Sequence, residues 1–175
     1  MAPPVRVGCD DDADSRKGMS MSSGPGVAAH AEHEVSGGFE SFLRRYEAAN
    51  TAFVNGDPES WLALAADCDP VSIFGGFGGL GEAGGVTVHQ RYLLAAGAFQ
   101  PSGAVVDFRY LVKDVRSELA YTVAIERAQV LHTGQTERAL HFLRVTMLFR
   151  FDRGAWRIVH RHADTMVDLV LPTSD

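Results

Sequence analysis

The stretch LRVTMLFRFDRGAWRIVHRHAD, residues 143–164, decides the fold. Leu143, Val145, Met147, Phe149 and Phe151 fall on alternate positions, with Arg144, Thr146 and Arg150 between them, which is the period of a half-buried strand. Asp152-Arg153-Gly154 supplies a tight turn, and Trp156 to Asp164 returns as a second strand. The returning strand carries Trp156, Ile158, His160, His162 and Asp164 on its even positions and Arg157, Val159, Arg161 and Ala163 on its odd ones. Pairing odd with odd across the hairpin turns Val159, Arg161 and Ala163 toward the packed face. His160, His162 and Trp156 then lie on the outer face.

Working outward from the hairpin, period two extends over four long strands, roughly 104–115, 119–131, 138–151 and 155–164. In 119–131, Tyr121, Val123 and Ile125 put the odd positions on the packed face, continued in polar form by Arg127 and Gln129. Before Pro101 the period is helical. Phe39, Phe42, Leu43, Tyr46, Ala49, Asn50 and Phe53 make one mostly apolar stripe, ended by Asn55-Gly56. Asp57-Pro58 opens a second helix carrying Trp61, Leu62 and Leu64, with Asp57 expected as its N-cap. A short strand over 71–74 leads into seven glycines between Gly75 and Gly85, and Thr87 with Gln90 is spaced as the capping box of a third helix. The fold class is therefore α+β, three N-terminal helices packed on a curved, mainly antiparallel sheet.

Residues 1–37 differ from the rest. They hold Pro3, Pro4, Pro25, a Ser/Met/Gly stretch and the acidic cluster Asp10, Asp11, Asp12 and Asp14, and they carry −3 of the chain's −6 net charge. With few large apolar residues and no period, this segment is expected to be a disordered tail, leaving one domain over 38–175. It lacks the basic start and apolar core of a secretory signal, so a cytoplasmic location is expected. At 175 residues, 46% hydrophobic and 22% charged, the chain has the composition of a globular protein. No apolar run reaches the roughly 18 residues that span a bilayer, and the acidic balance argues against nucleic acid as a partner. Cys9 and Cys68 show no CxxC spacing, which argues against a structural zinc site or a disulfide framework. The glycine-rich loop has no Lys and no GKS/T ending, so it reads as a cover over a cavity rather than a phosphate cradle.

The helix pair broken at Asn55-Gly56-Asp57, the third helix and the ending FRFDRGAWRIVHRHAD together resemble the NTF2-like superfamily over about residues 39–165. The likeness is strongest to its SnoaL-like, polyketide-cyclase-like branch. That resemblance implies a cone-shaped cavity between sheet and helices, and a homodimer formed through the outer sheet face. The superfamily includes isomerases, cyclases, dehydratases and catalytically silent binding modules, so fold alone does not name a reaction. Ketosteroid isomerase chemistry is not expected. The position of that family's general base falls on Ile73 and that of its proton-donating acid on Met147, neither of which can carry a proton.

The residues left to carry chemistry are few. His141 is the titratable residue centred on the apolar face of its strand, where a neutral imidazole could shuttle a proton; it also reads as a satisfied core histidine. Asp69, at the mouth of the first strand, is either a desolvated base or part of a solvated turn. His141 and Asp69 are the expected proton-transfer groups if the protein is catalytic. Tyr46, Trp61, Tyr121, Met147 and Arg161 are the expected ligand contacts, the tyrosines by hydroxyl and Arg161 by its planar donor fork, with Arg127 beside it for a carboxylate. His160, His162 and Asp164 share a strand face, yet no further strong ligand comes from a neighbouring strand, so no metal is expected, nor any other cofactor. The expectation is thus a cofactor-independent cyclase, isomerase or dehydratase acting on a small apolar molecule. The alternative is a non-catalytic ligand-binding or dimerisation module.

Overall fold

The computed structural model of the protein describes residues 25–167, with side chains from Gly38 onward. Three helices, α1 (Pro25–Phe53), α2 (Glu59–Leu64) and α3 (Gly85–Ala96), cover one face of a six-stranded sheet. Its strands are β1 (Ser72–Phe74), β2 (Glu82–Ala83), β3 (Asp107–Val115), β4 (Leu119–Leu131), β5 (Arg138–Asp152) and β6 (Ala155–Thr165). They run in the order β2-β1-β6-β5-β4-β3, antiparallel throughout except for the β1–β6 pair. The backbone of α1 is helical from Pro25, so residues 25–37 of the expected tail belong to that helix, while residues 1–24 lie outside the described residues. Among the described residues, no helix is long and apolar enough to cross a membrane.

The helix stripe read from the sequence is the core. Phe39, Phe42, Leu43, Tyr46, Ala49 and Asn50 are all buried. Phe39 packs edge-on against Phe149 at 5.3 Å and against Trp156 at 5.0 Å, while Tyr46 and Trp61 lie 5.3 Å apart. Burying one such aromatic is worth on the order of 2–3 kcal/mol, so this seam fixes how α1 lies across the sheet. The α2 start lies one residue later than expected: Pro58 is the N-cap and has no side-chain cap, while Asp57 Oδ1, just before it, accepts from the Glu59 amide at 3.0 Å. The α3 start differs as well. The helix begins at Gly85, before Thr87, and its first amide donates to Asp69 Oδ1 at 3.1 Å. A Cβ at Gly85 would lie 2.2 Å from the Asp67 carbonyl oxygen, so only glycine lets the chain pass that close.

The glycine-rich segment is also more structured than a loose cover. It folds back as β2, pairing Ser72 with Ala83 and Ile73 with Glu82. Gly81, at φ +85°, sits over the Phe74 ring at a distance that leaves no room for a Cβ. The β5–β6 turn is formed by Arg153 (φ 49°) and Gly154 (φ 78°), the positive-φ pair that suits a two-residue hairpin.

Two faces differ from the sequence expectation. In β4 the buried residues are the even ones, Ala120, Thr122, Ala124, Glu126, Ala128 and Val130. The cause is register: Ala120 opposes Phe149, Thr122 opposes Met147 and Ala128 opposes His141, so even positions of β4 meet odd positions of β5. Tyr121, Val123 and Ile125 therefore face outward. In β6 the face changes partway along. Phe151 opposes Trp156 and Phe149 opposes Ile158, but Leu148 opposes His160 and Met147 opposes Arg161. Val159 is the extra residue of a β-bulge. Trp156 and Ile158 consequently enter the core before the bulge, and Arg161 and Ala163 point inward after it. Trp156 is a core residue and not part of the outer face, whereas His160 and His162 do lie outside.

Candidate functional site

A cavity of about 70 Å³ opens between the sheet and the helices. Its wall is mainly apolar, with Phe53, Trp61, Ile73, Phe99 and Leu143 among its lining residues. Its charged and polar lining residues are Asn50, Arg91, Glu126, Arg127, His141 and Arg161, with the Tyr92 phenol beside them.

The Glu126–Arg161 group is built by the two register features above: the even face of β4 supplies the carboxylate, and the bulge in β6 turns the guanidinium inward. Arg161 Nη1 and Nη2 donate to Glu126 Oε1 and Oε2 at 3.0 and 2.7 Å, a bidentate pair. Tyr46 Oη donates to Glu126 Oε1 at 2.7 Å, Arg161 Nη1 also reaches Tyr46 Oη at 3.3 Å, and the guanidinium carbon lies 5.5 Å from the Trp61 ring centre. Glu126 and Arg161 are both buried. Burial alone would raise the Glu126 pKa, but the Arg161 charge and the hydrogen bonds from Arg161 and Tyr46 outweigh it, so the carboxylate stays ionised below its ordinary range. On Arg161, burial works against the charge, and Glu126 more than offsets it. Burial pushes Tyr46 far above its usual pKa, and Tyr92, which lines the cavity, up to about 12, so both phenols keep their protons.

His141 is half-buried at the start of β5. Its Nε2 lies 3.0 Å from Nε2 of His132, whose Nδ1 lies 3.2 Å from the Ala98 carbonyl oxygen. A carbonyl only accepts, so an uncharged His132 carries its proton on Nδ1 and has a bare Nε2. His141 must then donate through Nε2–H, which assigns it the tautomer with a free lone pair on Nδ1. Burial first, and the neighbouring His132 second, lower the His141 pKa from its ordinary 6.5. Near neutral pH His141 is an uncharged imidazole, held against Phe99 and Phe77 with ring centres 5.5 and 5.9 Å away.

The expected site residues divide accordingly. Arg161, Trp61 and His141 line the cavity. Tyr46 stands behind Glu126, hydrogen-bonded to it, and Met147 is buried under the guanidinium, with Sδ 3.5 Å from Arg161 Nη1. Tyr121 is corrected to the outer face, because β4 presents its even positions inward. Asp69 is corrected to an exposed position at the start of α3, where it accepts from the Gly85 amide, and it is not among the residues lining the cavity with His141. The carboxylate held by Arg161 is the chain's own Glu126, and the exposed Arg127 takes no part in the pair. On the outer face, Ser72 Oγ pairs with His160 Nδ1 at 2.8 Å and Arg144 engages Asp164, so those side chains have partners of their own. Glu126, His132 and Asn50 lie outside the expected set. The available signal for Glu126 was the run of small residues, Ala120, Ala124 and Ala128, sharing its face.

Removing one member of a buried ion pair strands the other. Glu126→Ala is predicted to cost about 3–5 kcal/mol in urea unfolding, and Glu126→Ala with Arg161→Met to recover most of that loss. The folded-state pKa of Glu126 is depressed, so its contribution is present above the ordinary carboxylate range and is lost as pH falls through the depressed value. The double variant should lack that share of the acid-induced loss. A single variant as stable as the wild type would refute the pairing.

With the geometry in hand, the chain can be set beside known proteins. The SnoaL-like domain family matches residues 44–168. An NTF2-like superfamily protein from Salmonella enterica superposes with TM-score 0.62 at 15% identity, covering 85% of this chain and 99% of that one. A candidate scytalone dehydratase from Novosphingobium aromaticivorans gives TM-score 0.62 at 13% identity, covering 84% and 95%. A candidate dehydratase of the NTF2-like family from Streptomyces avermitilis gives 0.60 at 18%, covering 78% and 98%. At these identities the likeness is one of fold. No curated protein matches the chain. A family match over most of the domain identifies the chain as a member of the SnoaL-like domain family, and its sheet and three helices share the fold of the NTF2-like neighbours.

Proposed function

We propose that the protein binds a small, mainly apolar molecule in its cavity and moves a proton on it through His141, without a cofactor. The observation that carries this reading is the His141–His132–Ala98 chain, which leaves a neutral imidazole with a free Nδ1 on an apolar cavity wall. An imidazole of lowered pKa is in its basic form at neutral pH. Nδ1 takes a proton from a carbon beside a carbonyl, the C–H electron pair moves toward the carbonyl oxygen, and the proton is returned afterwards. Cyclase, isomerase and dehydratase chemistry can each begin this way, which accords with the dehydratase descriptions of two structural neighbours. Asp69 has no part in this step, and Trp61 and Arg161 serve as ligand contacts.

The step can be followed on 2-indanone, a compact apolar ketone, by α-proton exchange in D2O. The wild type should accelerate exchange, with a rate that rises as His141 loses its proton, at a midpoint below the ordinary 6.5. His141→Ala should abolish the acceleration. Unaltered exchange in that variant would remove His141 as the base. Binding of the ketone without any exchange would favour a second reading, a non-catalytic binding module, since the cavity's one lining carboxylate, Glu126, is already committed to Arg161.

The same reading makes the protein a cytoplasmic homodimer joined through the outer sheet face. That face carries Phe74 against His160 and His162, and Tyr121 and Leu140 are exposed elsewhere on it, apolar surface that association would cover. Sedimentation should give the mass of two chains, and a monomer at micromolar concentration would contradict it.

A further inference from the structure

The cavity holds about 70 Å³, whereas sites that enclose a small-molecule ligand run to roughly 300–1,000 Å³. Some part of its wall must therefore give way before a ligand can enter. The helices and long strands that carry most of the lining residues are fixed by the aromatic seam, by Tyr92 against Trp61 at 5.6 Å, and by the paired registers of β4, β5 and β6. The α3–β3 connection, which brings Phe99, is pinned too. The Gln100 amide donates to the Leu131 carbonyl oxygen at 3.0 Å and the Thr133 amide to that of Ala98 at 2.9 Å, while Asn55 Oδ1 accepts from the Ser102 and Ala104 amides at 3.0 Å each.

The segment between β1 and β2, residues 75–81, is held differently. It contributes Gly75, Gly76 and Phe77 to the wall. Gly78, Gly79 and Gly81 have φ of +78°, +102° and +85°, and Leu80 at the tip is 99% exposed. Among the described residues, a single hydrogen bond ties 75–80 to another element: Arg91 Nη2, on α3, donates to the Gly78 carbonyl oxygen at 2.7 Å. Pairing of Ile73 with Glu82 anchors both ends, so the segment can hinge there without disturbing the rest of the sheet. Phe77 is half-exposed and rests on the histidine pair, with ring centres 5.9 Å from His141 and 6.0 Å from His132. Its ring covers the His141 end of the cavity.

The tie through Arg91 is a compromise. The Gly75 backbone lies so close to the guanidinium that a Cβ there would come within 3.1 Å of Nη2 and 3.2 Å of Nε. In this closed arrangement the Nε–H is buried without a partner, and Glu82 stands 3.7 Å from Nη1, beyond hydrogen-bond reach. Lifting the segment gives up one charge-assisted hydrogen bond but lets water reach an orphaned donor, so the two effects oppose each other. We propose that residues 75–81 are a flap that swings away to admit the ligand and closes over it, with Phe77 as the cover of His141 and Arg91 as the latch. The ligand-binding reading above supplies what enters; the motion itself does not depend on it.

A crosslink can hold the flap shut. A Cβ on Gly76 would lie 3.7 Å from the Ala163 Cβ, the spacing found across a disulfide. Gly76→Cys with Ala163→Cys can thus be locked by oxidation and released by a reductant, and the wild type under both conditions controls for Cys9 and Cys68. In the ligand-free wild type, NMR relaxation dispersion should show microsecond-to-millisecond exchange at the amides of 75–81 and none along β4 to β6. The oxidised double variant should lose it. Stopped-flow association of 2-indanone, followed by tryptophan fluorescence, should be nearly abolished by that oxidation and restored by reduction. Arg91→Leu should speed association about tenfold, because the open form gains population. Flat dispersion across 75–81 would overturn the flap whatever the ketone does. Unaltered association in the oxidised double variant would overturn its role as the entrance, and unaltered association in Arg91→Leu would overturn the latch. If exchange is present and the ketone binds to no form, the ligand-binding reading falls while the flap stands. The wild-type and Arg91→Leu measurements decide the matter even if the double variant fails to fold.

Discussion

The bidentate pair between Glu126 and Arg161 is the constraint around which this domain is arranged. Both residues are buried, so each needs the other: a lone carboxylate or guanidinium in that environment would cost several kcal/mol. Meeting that need requires β4 to present its even positions inward and β6 to change face at Val159. Without the bulge, the alternation that buries Trp156 and Ile158 would send Arg161 to the outside and leave Glu126 alone in the core. The pair adds little net stability over a hydrophobic replacement. Its physical consequence is that a one-residue slip of either strand is heavily penalised.

That arrangement also explains how much of the structure was legible in the sequence. The α1 stripe and the odd face of β5 are continuous in large apolar residues, and both were read correctly, as were the four long strands and the tight turn. β4 was misread because its outer face, Tyr121, Val123 and Ile125, is more hydrophobic than its inner face, where alanines make room for Glu126 and Thr122. Local hydrophobicity pointed one way, and the cross-strand register with β5 decided the other. The bulge leaves no mark in the composition of β6, since Val159 is an ordinary strand residue. The family resemblance could supply the cone and its topology, but it could not supply these two details, and both determine the site.

The site follows the same division. Arg161, Trp61 and His141 were recognised because residues of those types stand out on an apolar face. His132 was not, because it lies beyond the end of β4 and meets His141 only through the pairing of β4 with β5. Asp69 was attractive as a carboxylate beside a strand, yet its role is to bind the first amide of α3. The consequence for chemistry is a cavity in which the one buried carboxylate is neutralised and the free base is an imidazole.

The account rests on His141 being an uncharged ring with its lone pair on Nδ1, and that state can be observed directly. Long-range proton–nitrogen correlation on histidine-labelled protein distinguishes the two tautomers and the imidazolium by their ring nitrogen shifts. The account predicts, at pH 7, protonated Nε2 with bare Nδ1 on His141 and protonated Nδ1 with bare Nε2 on His132. A His141 that is charged at pH 7, or that carries its proton on Nδ1, would contradict it.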